Sequence, residues 1–489
     1  MRRSRLTAAA LLTLLAALLV PSAALAQDAD PNVVASDLNT TWVIVAGVLV
    51  MFMQAGFAFL EIGFSRGKNV GAVVAKILTN FSIASIVWWA FGFALAFGGG
   101  GWLFGDSGFF FQYGSTISDG ALPAIAGKVS GGGAAFFFFQ FVFCAVSLAI
   151  VWGTTLERIK FIAYPIYAVV FAGIIYPLIS HWAWSSGLMA NIGGGVQDFA
   201  GSTVVHLTGA TGAFAALLLL GARKGKYGPD GRPRAIPGHS MPIFGLGVLI
   251  LWLGWFGFNP GSTLGVADGR FAEIVVVTNI AAAAGVLGAL ATSHVVQKTL
   301  DVGMIGNGAI AALVAITAPS GYVEFWAAPI IGAIAGVLVV LCVIAIDKLV
   351  DDPVGALSAH GVAGIWGTLS CGLFTSPRLA DYNGVGQAGL FYNGDFKQLG
   401  VQIAGVAIAF TTVFLISYIT FASIKAVFGL RVSEEDEEAG LDITEHGMYG
   451  YPEQFIPPAE LAGYGARPIA AAAPPSAPSI PTSQEAAAT

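Results

Sequence analysis

Charge is what this chain has least of. Asp, Glu, Lys and Arg together make up 10% of its 489 residues, where a soluble domain carries about a quarter. That excludes an ordinary water-soluble globule. It also leaves no basic face for nucleic acid, and no such partner is expected. Cysteine is scarce too. Cys144, Cys342 and Cys371 lie in or beside apolar segments with no disulfide or metal spacing, so they read as packing residues. No nucleophile–base pair or phosphate-binding loop appears, so neither an enzyme nor a cofactor is expected. What remains is 56% hydrophobic with a mean hydropathy of +0.78. Apolar stretches of roughly 20 residues recur, each enough to cross a bilayer. The 64 glycines let such helices approach closely. The chain reads as an all-α polytopic membrane protein.

The ends stand apart. Arg2, Arg3 and Arg5 precede an apolar run from Leu6 to Val20, then Pro21 and Ala24-Leu25-Ala26. That is the anatomy of a signal peptide over residues 1–26. Residues 451–489 are rich in Pro and Ala and lack periodicity, so they read as a disordered tail. Between these, residues 27–430 form the expected membrane domain and 431–450 a short tail.

Eleven spans are expected, near 38–62, 71–97, 134–156, 160–180, 203–221, 242–258, 273–297, 303–318, 325–346, 359–374 and 399–428. Lys and Arg set their orientation. One set of alternate loops holds 14 of them, among them Arg66, Lys76, Arg158, Arg223 and Lys425; the other holds Lys128, Arg270, Arg378 and Lys397. The first set is placed in the cytoplasm, with the mature N-terminus outside and the C-terminus inside. A multi-pass inner (plasma) membrane protein embedded in the lipid bilayer is expected.

Two elements match across the chain. Asp198 precedes His206 by eight residues, and Asp352 precedes His360 by eight, each histidine lying in an apolar stretch. Eight helical residues rise about 12 Å, a bit under half of a ~30 Å hydrocarbon core. Both imidazoles are therefore expected near the midplane, approached from opposite faces. Five spans separate the two elements, and five is odd. Residues 38–221 and 242–374 are then expected to be inverted five-helix repeats, followed by a long eleventh helix at about 399–428. One buried histidine is usually a satisfied packing residue. Two at matched positions suit proton handling. Without a third ligand they make a poor zinc site, and no metal is expected. Asp198 and Asp352 read as helix N-caps, with Asp198 adding negative potential near the outer mouth. Gly254 to Ser262, Phe139 to Phe143 and His181 to Trp184 cluster toward the outer side. Singly these are ordinary interfacial aromatics. Together they form a vestibule of ring faces and a hydroxyl, suited to a small cation.

Over about residues 38–450 the chain resembles the ammonium transporter (Amt/Mep/Rh) family, on its Amt side. The carriers are Asp198 to His206, Gly254 to Ser262, Glu157-Arg158, the segment around His360, and Gly429 to Asp442 with Glu445-His446-Gly447. The resemblance implies a homotrimer of eleven-helix subunits, one pore in each. It implies that Phe143, Trp184 (rather than Trp182) and Ser262 recruit ammonium, and that Phe143 and Phe258 close the pore below. It makes His206 and His360 the twin-histidine pair and Asp198 an acid needed for transport. It also implies that the tail couples subunits and that a PII-type signalling protein docks on the cytoplasmic side. Transport is expected to proceed by recruitment of ammonium, its deprotonation, and passage of ammonia along an apolar lumen. An ammonium sensor and an Rh-like channel for neutral gas are the alternatives; the Trp184 and Ser262 vestibule favours recruitment over the second.

Overall fold

In the computed structural model, residues 31–111 and 133–456 are described. The expected signal peptide, Lys128 and residues 457–489 lie outside them. Among the described residues the chain is helical, and nine helices are long and apolar enough to cross a membrane. We number these with two shorter elements in chain order: α1 Val34–Phe64, α2 Gly67–Phe97, α3 Gly133–Gly153, α4 Ala163–Asn191, α5 Ser202–Leu220, α6 Met241–Thr263 and α7 Arg270–Gln297. The short apolar helix Val302–Thr317 is α8, and Ala327–Ile346 is α9. In α10 a π-helical turn, Leu357–Val362, continues into the helix Ala363–Phe374. The 32-residue Lys397–Phe428 is α11. The two expected spans outside the nine are thus α8 and α10. Both are helical, and both lie largely inside the bundle.

Packing in the two halves corresponds when five is added to the helix number. α1 packs on α3, α2 on α3 and α4, and α3 on α5; likewise α6 packs on α8, α7 on α8 and α9, and α8 on α10. Composition explains how the halves meet. α1 lies along α6, where a Cβ on Gly247 would overlap the Leu60 backbone. Only glycine permits that approach. α11 packs on α5 and α10. Near its start Gln402 accepts from Gln197 N (2.8 Å) and donates to Gln197 O (2.7 Å) and Thr368 O (2.9 Å). That satisfies a buried extended backbone just before Asp198, which no water could reach cheaply.

At one end of the bundle the loops are clamped by buried charge. Arg223 pairs with Asp351 (2.9 Å) and Arg66 with Glu157 (2.6 Å), while Arg158 donates to the carbonyls of Gly221 (2.9 Å) and Asp351 (2.8 Å). Burial works to raise the Asp351 carboxyl, but hydrogen bonding to Arg223 and the charges of Arg158 and Arg223 hold it down at about 2. The tail folds onto this end. Ser433 caps a short helix, α12 Glu434–Ala439, and Asp442 begins the next turn, α13 Leu441–His446. Asp442 accepts from Gly71 N (2.9 Å) and Ala72 N (2.8 Å), capping the start of α2. Glu437 is buried against Arg431 (2.6 Å). The acidic run thus packs on the chain's own loops, and Lys224 pairs with Glu434 and Glu438 at its exposed edge. Tyr451, at the start of the Pro/Ala-rich stretch, meets His239 at 3.0 Å.

Candidate functional site

The site is assembled by α3, α4, α5, α6 and α10. Each supplies one or two side chains, and the local fold fixes how each points. At the end of the bundle opposite the charged clamp lies a cleft of about 670 Å³, whose lining includes Trp184, Asp198, Phe199, Ser262, Arg270 and Tyr322. Trp184 is the last residue of the helical run Tyr176–Trp184. Its indole Nε1 donates to the Asp198 carbonyl (2.7 Å), which fixes the ring. Trp182 is buried away from the cleft. Pro260 opens a single 3-10 turn, Pro260–Thr263. There the Ser262 hydroxyl donates to the Phe258 carbonyl (2.8 Å). Its proton is thereby committed, and its lone pairs are left to accept from a ligand.

Below the cleft the path is shut. Phe143 and Phe258 stack with centroids 4.0 Å apart at 23°, and Trp184 meets Phe143 edge-on at 6.2 Å. Phe143 and Phe258 are essentially without solvent contact.

The histidines follow directly. His206 lies against Phe258 (5.5 Å) and stacks on Trp255 (5.2 Å, 16°). His206 Nδ1 and His360 Nδ1 are 3.2 Å apart, and the rings are nearly coplanar in direction, at 20°. Such a contact needs one proton between two nitrogens. One imidazole donates from Nδ1 and so presents an accepting Nε2. The other accepts at Nδ1 and so presents an Nε2–H. The pair therefore offers one donor and one acceptor whichever way the proton sits. His206 Nε2 has no hydrogen-bond partner among the described residues.

Both histidines sit in π-helical turns, Ser202–Leu207 and Leu357–Val362, and each turn is capped by the matching aspartate. Asp198 Oδ1 accepts from Gly201 N and Ser202 N (both 2.8 Å), and Oδ2 from Thr203 N and Val204 N (both 2.9 Å). Gly201 reaches φ 115° to begin the turn, a conformation glycine tolerates. Asp352 accepts from Gly355 N (3.1 Å) and Leu357 N (2.7 Å). Neither aspartate has its carboxylate aimed at the histidines. Both act on them through the backbone.

Three features were not read from the sequence. Trp255 backs His206 and is itself held by Thr317 Oγ1 (2.9 Å); nothing in a Trp within an apolar run distinguishes it from a packing residue. Arg270 borders the cleft although the expected ligand is a cation. It is ion-paired with Glu273 and lies 5.4 Å over the Tyr382 ring, so its charge is offset locally. Glu61 and Lys76 form an ion pair inside the bundle; Lys76 looked like an inner-loop cation because it follows Arg66 and Lys68 closely.

Known proteins resemble this chain over most of its length. The model of the ammonium transporter family matches residues 41–451. The chain is 41% identical over 437 residues to the ammonium transporter Amt2 of Archaeoglobus fulgidus, covering 87% of this chain and 90% of that one. It is 33% identical to an ammonium transporter of Bacillus subtilis, over 84% of this chain and 98% of that one. Among solved structures, one described as a sensor Amt protein superposes with a TM-score of 0.77 at 36% identity, over 85% of this chain and all of that one. Mep2 of Candida albicans superposes at 0.74 with 27% identity, over 85% and 90%. The Archaeoglobus and Bacillus relatives are transport proteins by name, not enzymes. The chain is a multi-pass membrane protein and belongs to the ammonium transporter family.

Proposed function

We propose that this chain carries ammonium across the membrane by separating it into ammonia and a proton. The observation that carries the reading is the stack Trp184, Phe143, Phe258, His206, His360, which leads from an open cleft to a buried imidazole pair. Ammonium and potassium are alike in size and charge, so charge alone cannot sort them. Hydrogen bonding can. Ring faces at Trp184 and Phe143 attract the cation, and the Ser262 lone pairs accept one of its protons, which potassium cannot offer. A bare cation does not pass two stacked rings cheaply. Ammonium gives up its proton there, and ammonia, a donor and an acceptor, pairs with the two Nε2 positions of the histidines. The same pair takes the released proton, which makes net transport electrogenic.

The correspondence of helix packing, π turns and aspartate caps supports a subunit of eleven spans, built as two inverted five-helix repeats plus a tilted α11. On this reading the charged clamp and tail face the cytoplasm, by the excess of Lys and Arg there. The subunit assembles as a homotrimer in the inner membrane. The loop Arg223 to Arg234, exposed over Pro229 to Arg232 and at Arg234, and the docked tail offer a surface to a PII-type regulator. A sensor is the second reading, favoured by the likeness to the sensor Amt protein.

The test is charge movement across proteoliposomes after pulses of ammonium and of potassium. Current with ammonium alone is expected. Equal currents with both ions would overturn the selective reading, and none with ammonium the electrogenic one. An internal pH dye in the same vesicles then separates ammonia conduction, which alkalinises the lumen, from a sensor, which leaves it unchanged.

A further inference from the structure

Two charged side chains inside the spans take no part in that account. Glu61 of α1 and Lys76 of α2 form an ion pair with both side chains only 1% exposed. Beyond Lys76, neither Glu61 oxygen takes a hydrogen bond from a described residue. An ion pair buried this way is poor stabilisation: well-packed apolar residues in its place are often as good or better. Its position points elsewhere. Phe57, one turn before Glu61 on α1, lies 6.2 Å from the His360 ring. Glu61 and His360 both line one narrow space of about 20 Å³ on the side of the histidines away from the cleft. That is room for about one water-sized molecule. Apart from Asn307, whose amide nitrogen is occupied by the Val354 carbonyl (3.1 Å), the rest of the wall is apolar.

We propose that Glu61 is the proton-relay residue beyond the twin histidines, with Lys76 as its fixed counter-charge. The inference rests on the reading of His206 and His360 as the proton-handling pair. One proton enters that pair from ammonium. One leaves from the His360 imidazole, through the single molecule in the shared space, to the Glu61 carboxylate. One then leaves Glu61 to water at the inner mouth, which restores the carboxylate; no other bond changes. While Glu61 is protonated, Lys76 is a buried charge without its partner. That state is costly and drives the proton onward. Ammonia follows the lumen separately and regains a proton in bulk water.

The test uses the purified full chain in proteoliposomes, reading ammonium current and ammonia flux (internal pH dye) in the same vesicles. The double variant Glu61→Gln with Lys76→Gln removes both charges and strands neither. Its ratio of current to ammonia flux should fall tenfold or more, within the range of a lost acid–base group. Glu61→Asp, which keeps a carboxylate, should retain most of the ratio. A double variant with the wild-type ratio would overturn the proposal, as would Glu61→Asp losing as much as the double variant. If the double variant fails to fold, Glu61→Leu with Lys76→Met, which leaves no buried charge or polar group behind, serves the same comparison. A wild-type protein without ammonium current would overturn the parent reading, and this one with it; wild-type current beside an unchanged variant overturns this one only.

Discussion

Trp184 and Ser262 are held by hydrogen bonds that have nothing to do with ligand. Trp184 donates to the Asp198 carbonyl and Ser262 to the Phe258 carbonyl. Both side chains are therefore aimed before any cation arrives, which lowers the cost of binding. Replacing Trp184 with Ala should remove a ring face worth about 0.5–2 kcal/mol, raising the half-saturating ammonium concentration several-fold while the maximal current changes less. A concentration series of currents checks this. The histidines behave differently, because each has a role only with the other across 3.2 Å. His206→Ala or His360→Ala should abolish selectivity or current alike, and the double variant should be no worse than either single one. Selective currents of wild-type size in both single variants would sink the pair's role. Sequence spacing revealed these two histidines. It did not reveal Glu61 and Lys76, because a lysine eight residues past Lys68 is indistinguishable from one in the same basic loop.

Among the elements, the capped π turns decide the geometry. Four backbone N–H groups converge on the Asp198 carboxylate, and an amide in its place has only one accepting oxygen. Asp198→Asn should strand buried donors at about 1–3 kcal/mol each. It should lower the melting temperature and the current together, because the turn that carries His206 loosens. Currents preserved in a destabilised protein would argue against that coupling. Gln402 does similar work from α11. Gln402→Leu should leave both Gln197 backbone groups unpaired, and should cost stability on the order of 1–3 kcal/mol in thermal unfolding. The loops at the charged end add a pH term. The Asp351 carboxyl sits at about 2 in the fold, against about 3.9 unfolded. Its depressed pKa contributes stability that is full above the unfolded value and lost as pH falls from about 4 through 2. Asp351→Asn should flatten the pH dependence of unfolding in that window by roughly 2.5 kcal/mol.

For the whole molecule, the tail closes the charged end against α2, because Asp442 caps the Gly71 and Ala72 amides and Glu437 meets Arg431. Asp442→Ala should free this contact. Limited proteolysis should then cut the tail faster in the variant than in the wild type, and equal rates would show that the docking does not depend on Asp442. Much of the molecule was legible beforehand. The apolar runs marked the positions of the helices, and two histidines at equal distances from two aspartates marked a pair that the fold brings to 3.2 Å. The acidic run Glu434 to Glu438 was not legible in this way, since the same residues suit a solvated tail. Lys68 and Lys224, supplied by distant loops, and Arg431, just before the run, fold it back.

The sequence alone showed a chain built for a membrane and two histidines at matched spacing from two aspartates. Hydrophobic runs and matched spacings are local properties, and each can be read without knowing what lies opposite. The tertiary structure decided the contacts: the stacked rings of Phe143 and Phe258, the 3.2 Å approach of His206 and His360, the indole that faces the cleft, and the burial of Glu61 with Lys76. These join helices far apart in the chain. Their partners are chosen by packing, which a linear pattern does not encode.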